Sequence, residues 1–245
     1  MSGSDDKVLA GIDVAVLAGG LGTRLRSVLG EDLPKVLVPI GGRPFLDVMV
    51  SWLDGYGARR LVLCLGHLAD KVVAHVAGLN RTHLAVETVI EPQPLGTGGA
   101  LRFAAGQLLS DPVMVMNGDS WVDADLAAFV AAHRARDAFM SVLCVRVDDA
   151  SRFGRVEVAA DGAITRFAEK DANAAPGLIN AGIYLLSQAA FAQLGNMEGP
   201  SFERDFMQIL TDGRVVAYVC EGASFIDIGT PDSFSQADSV IRVGR

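Results

Sequence analysis

Cysteine is scarce in this chain, at three in 245 residues, and Trp, Tyr and His number only two, three and four. Cys64, Cys144 and Cys220 each sit in an apolar run, and no two share a CxxC spacing. That excludes a disulfide framework, argues against a zinc site, and fits reduced core thiols in a reducing compartment. Long apolar runs are lacking as well. Half of the residues are hydrophobic and mean hydropathy is +0.33. Yet DVAVLAGG and LVLCLG are broken by Gly and polar residues well short of the ~18 residues a spanning helix needs. The first residues, MSGSDDK, are acidic where a signal peptide would be basic. Basic charge is short, with 21 Lys+Arg against 29 Asp+Glu and a net charge of −8. A nucleic-acid partner is therefore disfavoured, while small phosphorylated ligands need only a few local cations. These absences predict a cytoplasmic protein that binds neither membrane nor nucleic acid. They leave a homodimer open.

What is abundant is glycine, at 27 residues, set between short β-rich runs and segments of helical period. The pattern predicts strands at 13–18, 60–65, 84–90, 112–116 and 139–147. Helices are expected at 44–56, 68–76, 98–109 and 125–136. Beyond residue 147, Asp161-Gly162 marks a hairpin between 155–158 and 163–167. Strands at 179–186, 215–220 and 225–228 and helices at 201–210 and 231–240 complete the reading. The first half is βαβ-like and the second partly antiparallel. With no linker, charge block or repeat, the expectation is one α/β domain built on a mixed sheet.

Two glycine-rich loops follow predicted strands. In the first, Leu17-Ala18-Gly19-Gly20-Leu21-Gly22-Thr23-Arg24-Leu25, glycines let backbone N–H groups approach an anion. It is not a Walker loop, and the third position of a GxGxxG starting at Gly20 is Leu25. Alone it could be a plain strand-to-helix turn. Arg24 and Pro34-Lys35 close behind it add a guanidinium fork and a point charge, which together suit a triphosphate. The second loop, Glu91-Pro92-Gln93-Pro94-Leu95-Gly96-Thr97-Gly98-Gly99-Ala100, is Pro-framed and permits flat approach of a ring. Two carboxylates stand out: Asp119 at a strand end, and Asp227 between Ile226 and Ile228. With a phosphate loop nearby they suit Mg²⁺, which takes one or two carboxylates plus phosphate and water. Asp123-Ala124-Asp125 is also a D-x-D, the metal motif of nucleotide-sugar glycosyltransferases, but the helix that follows makes Asp125 a cap. His67 could line the sugar pocket, but it reads first as a loop histidine satisfied by its neighbours.

The stretch LAGGLGTRLRSVLGEDLPKVLVPIGGRPFL resembles the opening of the sugar-1-phosphate nucleotidyltransferases, and the resemblance runs through nearly the whole chain. Ser27 stands where many members have Pro. The resemblance implies a three-layer α/β/α, Rossmann-like mixed sheet of the nucleotide-diphospho-sugar transferase type. In it, residues 1–120 would hold the nucleotide and 121–245 the sugar phosphate. It implies that Leu17, Ala18, Gly19, Gly20, Gly22, Thr23, Gln93 and Gly98 bind the nucleotide, and that Arg24, Lys35 and Asp119 are catalytic. Asp119 and Asp227 would hold Mg²⁺, and Glu169, Lys170 and Asn180 would meet the sugar phosphate. The SFERD sequence at 201–205 is similar to the short guanylyltransferases acting on D-glycero-D-manno-heptose 1-phosphate. The implied substrates are GTP and heptose 1-phosphate. Mannose 1-phosphate, uridylyl or thymidylyl transfer, and more remotely glycosyl transfer, are the alternatives.

Overall fold

Val14, Val16, Leu61, Leu63, Met114 and Met116 point to one side of a sheet, and Ala15, Val62, Cys64, Val113 and Val115 to the other. Strands buried on both faces are the reason these runs are continuously apolar rather than alternating. A computed structural model describes residues 7–79, 83–168, 175–210 and 212–241. In chain order its first half runs β1 (Asp13–Leu17), α1 (Arg26–Leu29), β2 (Pro39–Ile40), β3 (Arg43–Pro44), α2 (Phe45–Gly55), β4 (Arg60–Leu65), α3 (Ala69–Ala77), β5 (Ala85–Ile90), α4 (Gly96–Phe103), β6 (Val113–Asn117) and β7 (Ser120–Val122). Then come α5 (Leu126–Ala135), β8 (Met140–Val147), β9 (Arg155–Val158), β10 (Ile164–Ala168), β11 (Gly177–Leu186), α6 (Gln188–Gly195), α7 (Phe202–Asp205), β12 (Val215–Cys220), β13 (Phe225–Asp227) and α8 (Pro231–Val240).

Nine strands make the main sheet. β6, β1, β4 and β5 are parallel; β11 runs antiparallel to both β6 and β8, and β12 parallel to β8. The β9–β10 hairpin joins the start of β11. Helices α2, α3, α5 and α8 pack on one face through Phe45, Leu46, Met49, Val72, Phe129 and Ala237. Helices α4, α6 and α7 cover the other through Leu101, Phe191, Leu194 and Phe202. This is the expected α/β/α mixed sheet. Among the described residues no helix is long and apolar enough to cross a membrane.

Besides the short elements α1, β2, β3 and β7, which were not expected, three features differ from the sequence reading. The expected helix at 201–210 is the single turn α7 and a separate 3₁₀ turn, Met207–Ile209, parted at Phe206 where φ is −121° and ψ −64°. The helix at 98–109 starts two residues earlier and ends at Phe103, with a 3₁₀ turn, Ala105–Gln107, beyond it. Helix α6, capped by the Ser187 side chain, was not expected, and Cys220 is only half-buried.

Candidate active site

The loops that matter leave the carboxyl ends of β1, β4, β5 and β6, where open parallel sheets bind ligands. The paths of β1 and β6 meet at Gly118, whose N–H donates to the Leu17 carbonyl at 2.9 Å. A Cβ there would lie 2.6 Å from that oxygen, so only glycine lets Asp119 follow the strand this closely. Asp227 arrives from far along the chain. The short β7–β13 ladder pairs it with Ser120, and the Ile228 N–H donates to the Asp119 carbonyl at 2.9 Å. Two carboxylates 108 residues apart are thereby held side by side.

Lys35 enters between them from a 3₁₀ turn, Lys35–Leu37, that Pro34 introduces. Its Nζ lies 2.6 Å from Asp119 Oδ2 and 3.9 Å from Asp227 Oδ1. Asp227 Oδ1 also accepts from the Gly229 N–H at 2.6 Å. Burial first, and the Asp119 charge second, push the Asp227 carboxyl above its ordinary range, against the pull of Lys35, the Gly229 N–H and Arg24. Two crowded carboxylates that hold a lysine between them have the donor set and charge for a divalent cation. Asp119 and Asp227 fit Mg²⁺ on that ground; among the described residues no cluster of three or more His, Cys, Asp or Glu offers an all-protein cage.

Around this centre two cavities adjoin. One, of about 780 Å³, lies over the first glycine loop and is walled by Leu17, Gly19, Gly20, His67, Gln93 and Thr97. The other, of about 460 Å³, lies over β11 and is walled by Arg152, Arg155, Asn180, Gly182 and Asp227. Arg24, Asn117, Asp119 and Glu203 line both. Ala18, Gly22 and Lys35 border a smaller recess beside them. Thr23 is exposed and outside these walls, and Gly98 is buried, its N–H spent on the Pro200 carbonyl at 2.8 Å. Glu169 and Lys170 lie outside the described residues. Asp125 caps α5, its Oδ1 accepting from Ala127 and Ala128 N–H at 2.9 and 3.1 Å, so the D-x-D sequence is engaged as a cap.

Several contributors escaped the sequence reading. His67 is exposed and faces the larger cavity rather than being satisfied by neighbours. Glu91 braces the second loop: Oε2 accepts from the Leu95 N–H at 3.1 Å, while Oε1 lies where a Cβ on Gly66 would sit, 2.5 Å away. Arg152 donates to Thr230 Oγ1 at 2.9 Å and overlies the Phe153 ring at 5.7 Å. Glu203 accepts from Tyr184 and Asn180. No short-range signal marks these residues, because each is defined by a partner from another element.

Comparison with known proteins bears on the same residues. The nucleotidyl transferase family model matches residues 14–242. A mannose-1-phosphate guanylyltransferase of Mycobacterium tuberculosis is 35% identical over 225 residues, covering 91% of this chain and 62% of that protein. This chain thus spans less than two thirds of that relative. A D-glycero-alpha-D-manno-heptose 1-phosphate guanylyltransferase of Aneurinibacillus thermoaerophilus is 31% identical over 233 residues, covering 94% of this chain and 99% of that one. Among solved structures, HddC from Yersinia pseudotuberculosis complexed with GMP-PN superposes with a TM-score of 0.81 at 36% identity, covering 93% of this chain and 98% of that one. With a family match across nearly its whole length, glycine loops at the carboxyl ends of a mixed sheet and two cavities sharing one acidic centre, this chain belongs to the nucleotidyl transferase family of enzymes.

Proposed function

We propose that the protein transfers a guanylyl group from GTP to D-glycero-α-D-manno-heptose 1-phosphate, releasing pyrophosphate. The observation that carries the reading is the pair of cavities that share Arg24, Asn117, Asp119 and Glu203. Two-substrate transfer without a covalent intermediate needs two pockets opening on one centre. The larger one, walled by Leu17, Gly19, Gly20 and Gln93, takes the triphosphate together with the adjoining recess bordered by Ala18, Gly22 and Lys35. In this reading nucleotide binding falls mainly to residues 1–120 and sugar-phosphate binding to 121–245, with Glu203 and Arg24 lining both cavities.

The reaction is an in-line displacement. A phosphate oxygen of the sugar 1-phosphate attacks the α-phosphorus, forming one P–O bond as the bond to the β-phosphate oxygen breaks and pyrophosphate departs. Arg24 and Lys35 neutralise charge on the α-phosphate and the leaving group. Asp119 and Asp227 would hold Mg²⁺, which would supply positive charge to the reacting phosphates. The resemblance assigns neutralisation of the attacking phosphate to Lys170 and contact with the sugar hydroxyls to Glu169, while Asn180 lines the smaller cavity. The product is an activated sugar of the kind used for capsule, S-layer or lipopolysaccharide.

The heptose and guanine assignments rest on the A. thermoaerophilus relative and on the guanine nucleotide in the HddC structure. The M. tuberculosis relative favours mannose 1-phosphate as the second reading. Four nucleoside triphosphates crossed with several sugar 1-phosphates, followed by pyrophosphate release, test both. The expected best pair is GTP with the heptose phosphate; mannose 1-phosphate in its place establishes the second reading, and UTP or dTTP in place of GTP rejects both.

A further inference from the structure

Asn180 looks from sequence like a sugar ligand, yet its amide is occupied inside the protein. Its Oδ1 accepts from the Gly182 N–H at 2.9 Å, and since a backbone N–H can only donate, the opposite end is the NH₂ group. That Nδ2 donates to Tyr184 OH at 2.8 Å and to Glu203 Oε1 at 3.1 Å, which uses both of its hydrogens. The Tyr184 hydroxyl in turn donates to the same Glu203 oxygen at 2.9 Å. Tyr184 is fully buried, and burial first and the Glu203 charge second push its phenol well above the ordinary range, so it stays a donor. Three side chains therefore close a ring of hydrogen bonds that strengthen one another around one oxygen of Glu203.

The other oxygen, Oε2, takes no part in that ring. Glu203 forms no salt bridge with the described residues, although it stands among Arg24, Arg152 and Arg155 in the smaller cavity. A carboxylate with no cation, held rigid where polyanionic substrates meet, is an acceptor waiting for hydroxyl donors. Its seat is rigid as well. Helix α7 is fixed by Ser201 capping the Arg204 N–H at 3.1 Å, by the Phe202 N–H donating to Thr97 Oγ1 at 2.9 Å, and by Phe202 packing edge-on against Tyr184.

We infer that Glu203 is the specificity-determining acceptor for a ring hydroxyl of the sugar 1-phosphate, and that Asn180 and Tyr184 are positioning residues that aim it. This deepens the reading above and rests on it. Glu203 lines both cavities, and the sugar is chosen over the ribose of the triphosphate because Asn180, which donates to its Oε1, lines the smaller cavity and not the larger, as do Gly182 and Met207.

The test measures kcat/KM by pyrophosphate release for wild type and Glu203→Gln. The substrates are GTP or 2′-deoxy-GTP with D-glycero-α-D-manno-heptose 1-phosphate, mannose 1-phosphate or sets of monodeoxy analogues of each. Wild type should lose at least tenfold on one monodeoxy sugar. Glu203→Gln should lose at least tenfold on the parent sugar, no longer distinguish that analogue from it, and keep the KM for GTP within twofold. Tyr184→Phe, which removes the donor that aims Glu203 and the acceptor of one Asn180 hydrogen, should raise the sugar KM severalfold and spare the GTP KM; it carries the test if Glu203→Gln does not fold. An active wild type whose sugar KM ignores both substitutions overturns this inference alone. So does a Glu203→Gln enzyme that has lost discrimination between GTP and 2′-deoxy-GTP, since Glu203 would then read the ribose. No pyrophosphate from any wild-type pair overturns the reaction itself and this inference with it.

Discussion

Asp227→Asn should make the metal-free protein more stable while removing its activity. The Asp227 carboxyl is raised by burial and by Asp119. A group whose folded pKa lies above its unfolded value contributes stability only at low pH, and that contribution is lost as pH rises through the folded value. At pH 8 an ionised Asp227 is therefore a net burden on the fold. Asparagine keeps the shape, and its Oδ1 still accepts the Gly229 N–H that now sits at 2.6 Å. Lys35 keeps its shorter contact, 2.6 Å to Asp119, so no charge is orphaned; what is lost is the attraction across 3.9 Å. The net gain should be about 1 kcal/mol, or roughly 2–4 °C in Tm for a chain of this size. Calorimetry in EDTA at pH 8 and at pH 4 measures it, alongside pyrophosphate release with Mg²⁺. The gain should shrink as pH falls through the raised Asp227 value, where the wild-type carboxyl takes up its proton. Mg²⁺ with nucleotide should raise the Tm of wild type more than that of the variant. A lower Tm for Asp227→Asn at pH 8 in EDTA, or a gain that does not fall with pH, would refute the reasoning.

Asp119→Asn should reduce turnover by at least ~100-fold with the fold intact by circular dichroism, as expected for loss of a charge at the reacting centre. Asp125→Ala should instead lower stability by about 1 kcal/mol in denaturant titration and leave turnover alone, because its carboxylate caps α5. Arg24→Ala should lower kcat more than it raises the KM for triphosphate, since the guanidinium acts on charge that develops as pyrophosphate leaves; equal effects on both would rule this out. Gly66→Ala should raise the KM for GTP about tenfold in steady-state assays. Its Cβ would meet Glu91 Oε1 at 2.5 Å and the Gly19 carbonyl at 3.0 Å, displacing the brace of the second loop.

Local chemistry made much of this legible in the sequence. The apolar runs of β1, β4 and β6 are continuous because both faces are covered, and the loops after them declare themselves through glycine and proline. Asp125 followed by a helical period reads as a cap and is one. What stayed hidden depends on partners distant in the chain. Nothing around Asp227 says that the β7–β13 ladder sets it beside Asp119, or that Lys35 enters between them. Asn180 presents an amide whose donors and acceptor turn out to be spent on Tyr184, Glu203 and Gly182. At the break, Phe202 and Phe206 stack at 5.8 Å within one core, and Met207 borders the smaller cavity. Propensity alone favours a longer helix there.

The central claim is guanylyl transfer to a heptose 1-phosphate at this centre. Its most direct test is a ³¹P NMR time course of the protein with Mg²⁺, GTP, UTP and dTTP in equal amounts, and D-glycero-α-D-manno-heptose 1-phosphate. The account predicts that the sugar monophosphate and GTP resonances fall together while pyrophosphate and a sugar nucleoside diphosphate rise in equal amounts. GTP should be consumed at least ~100-fold faster than UTP or dTTP, a difference of about 2.7 kcal/mol in transition-state stabilisation. Preferential consumption of UTP or dTTP, or release of orthophosphate with the sugar phosphate untouched, would contradict it.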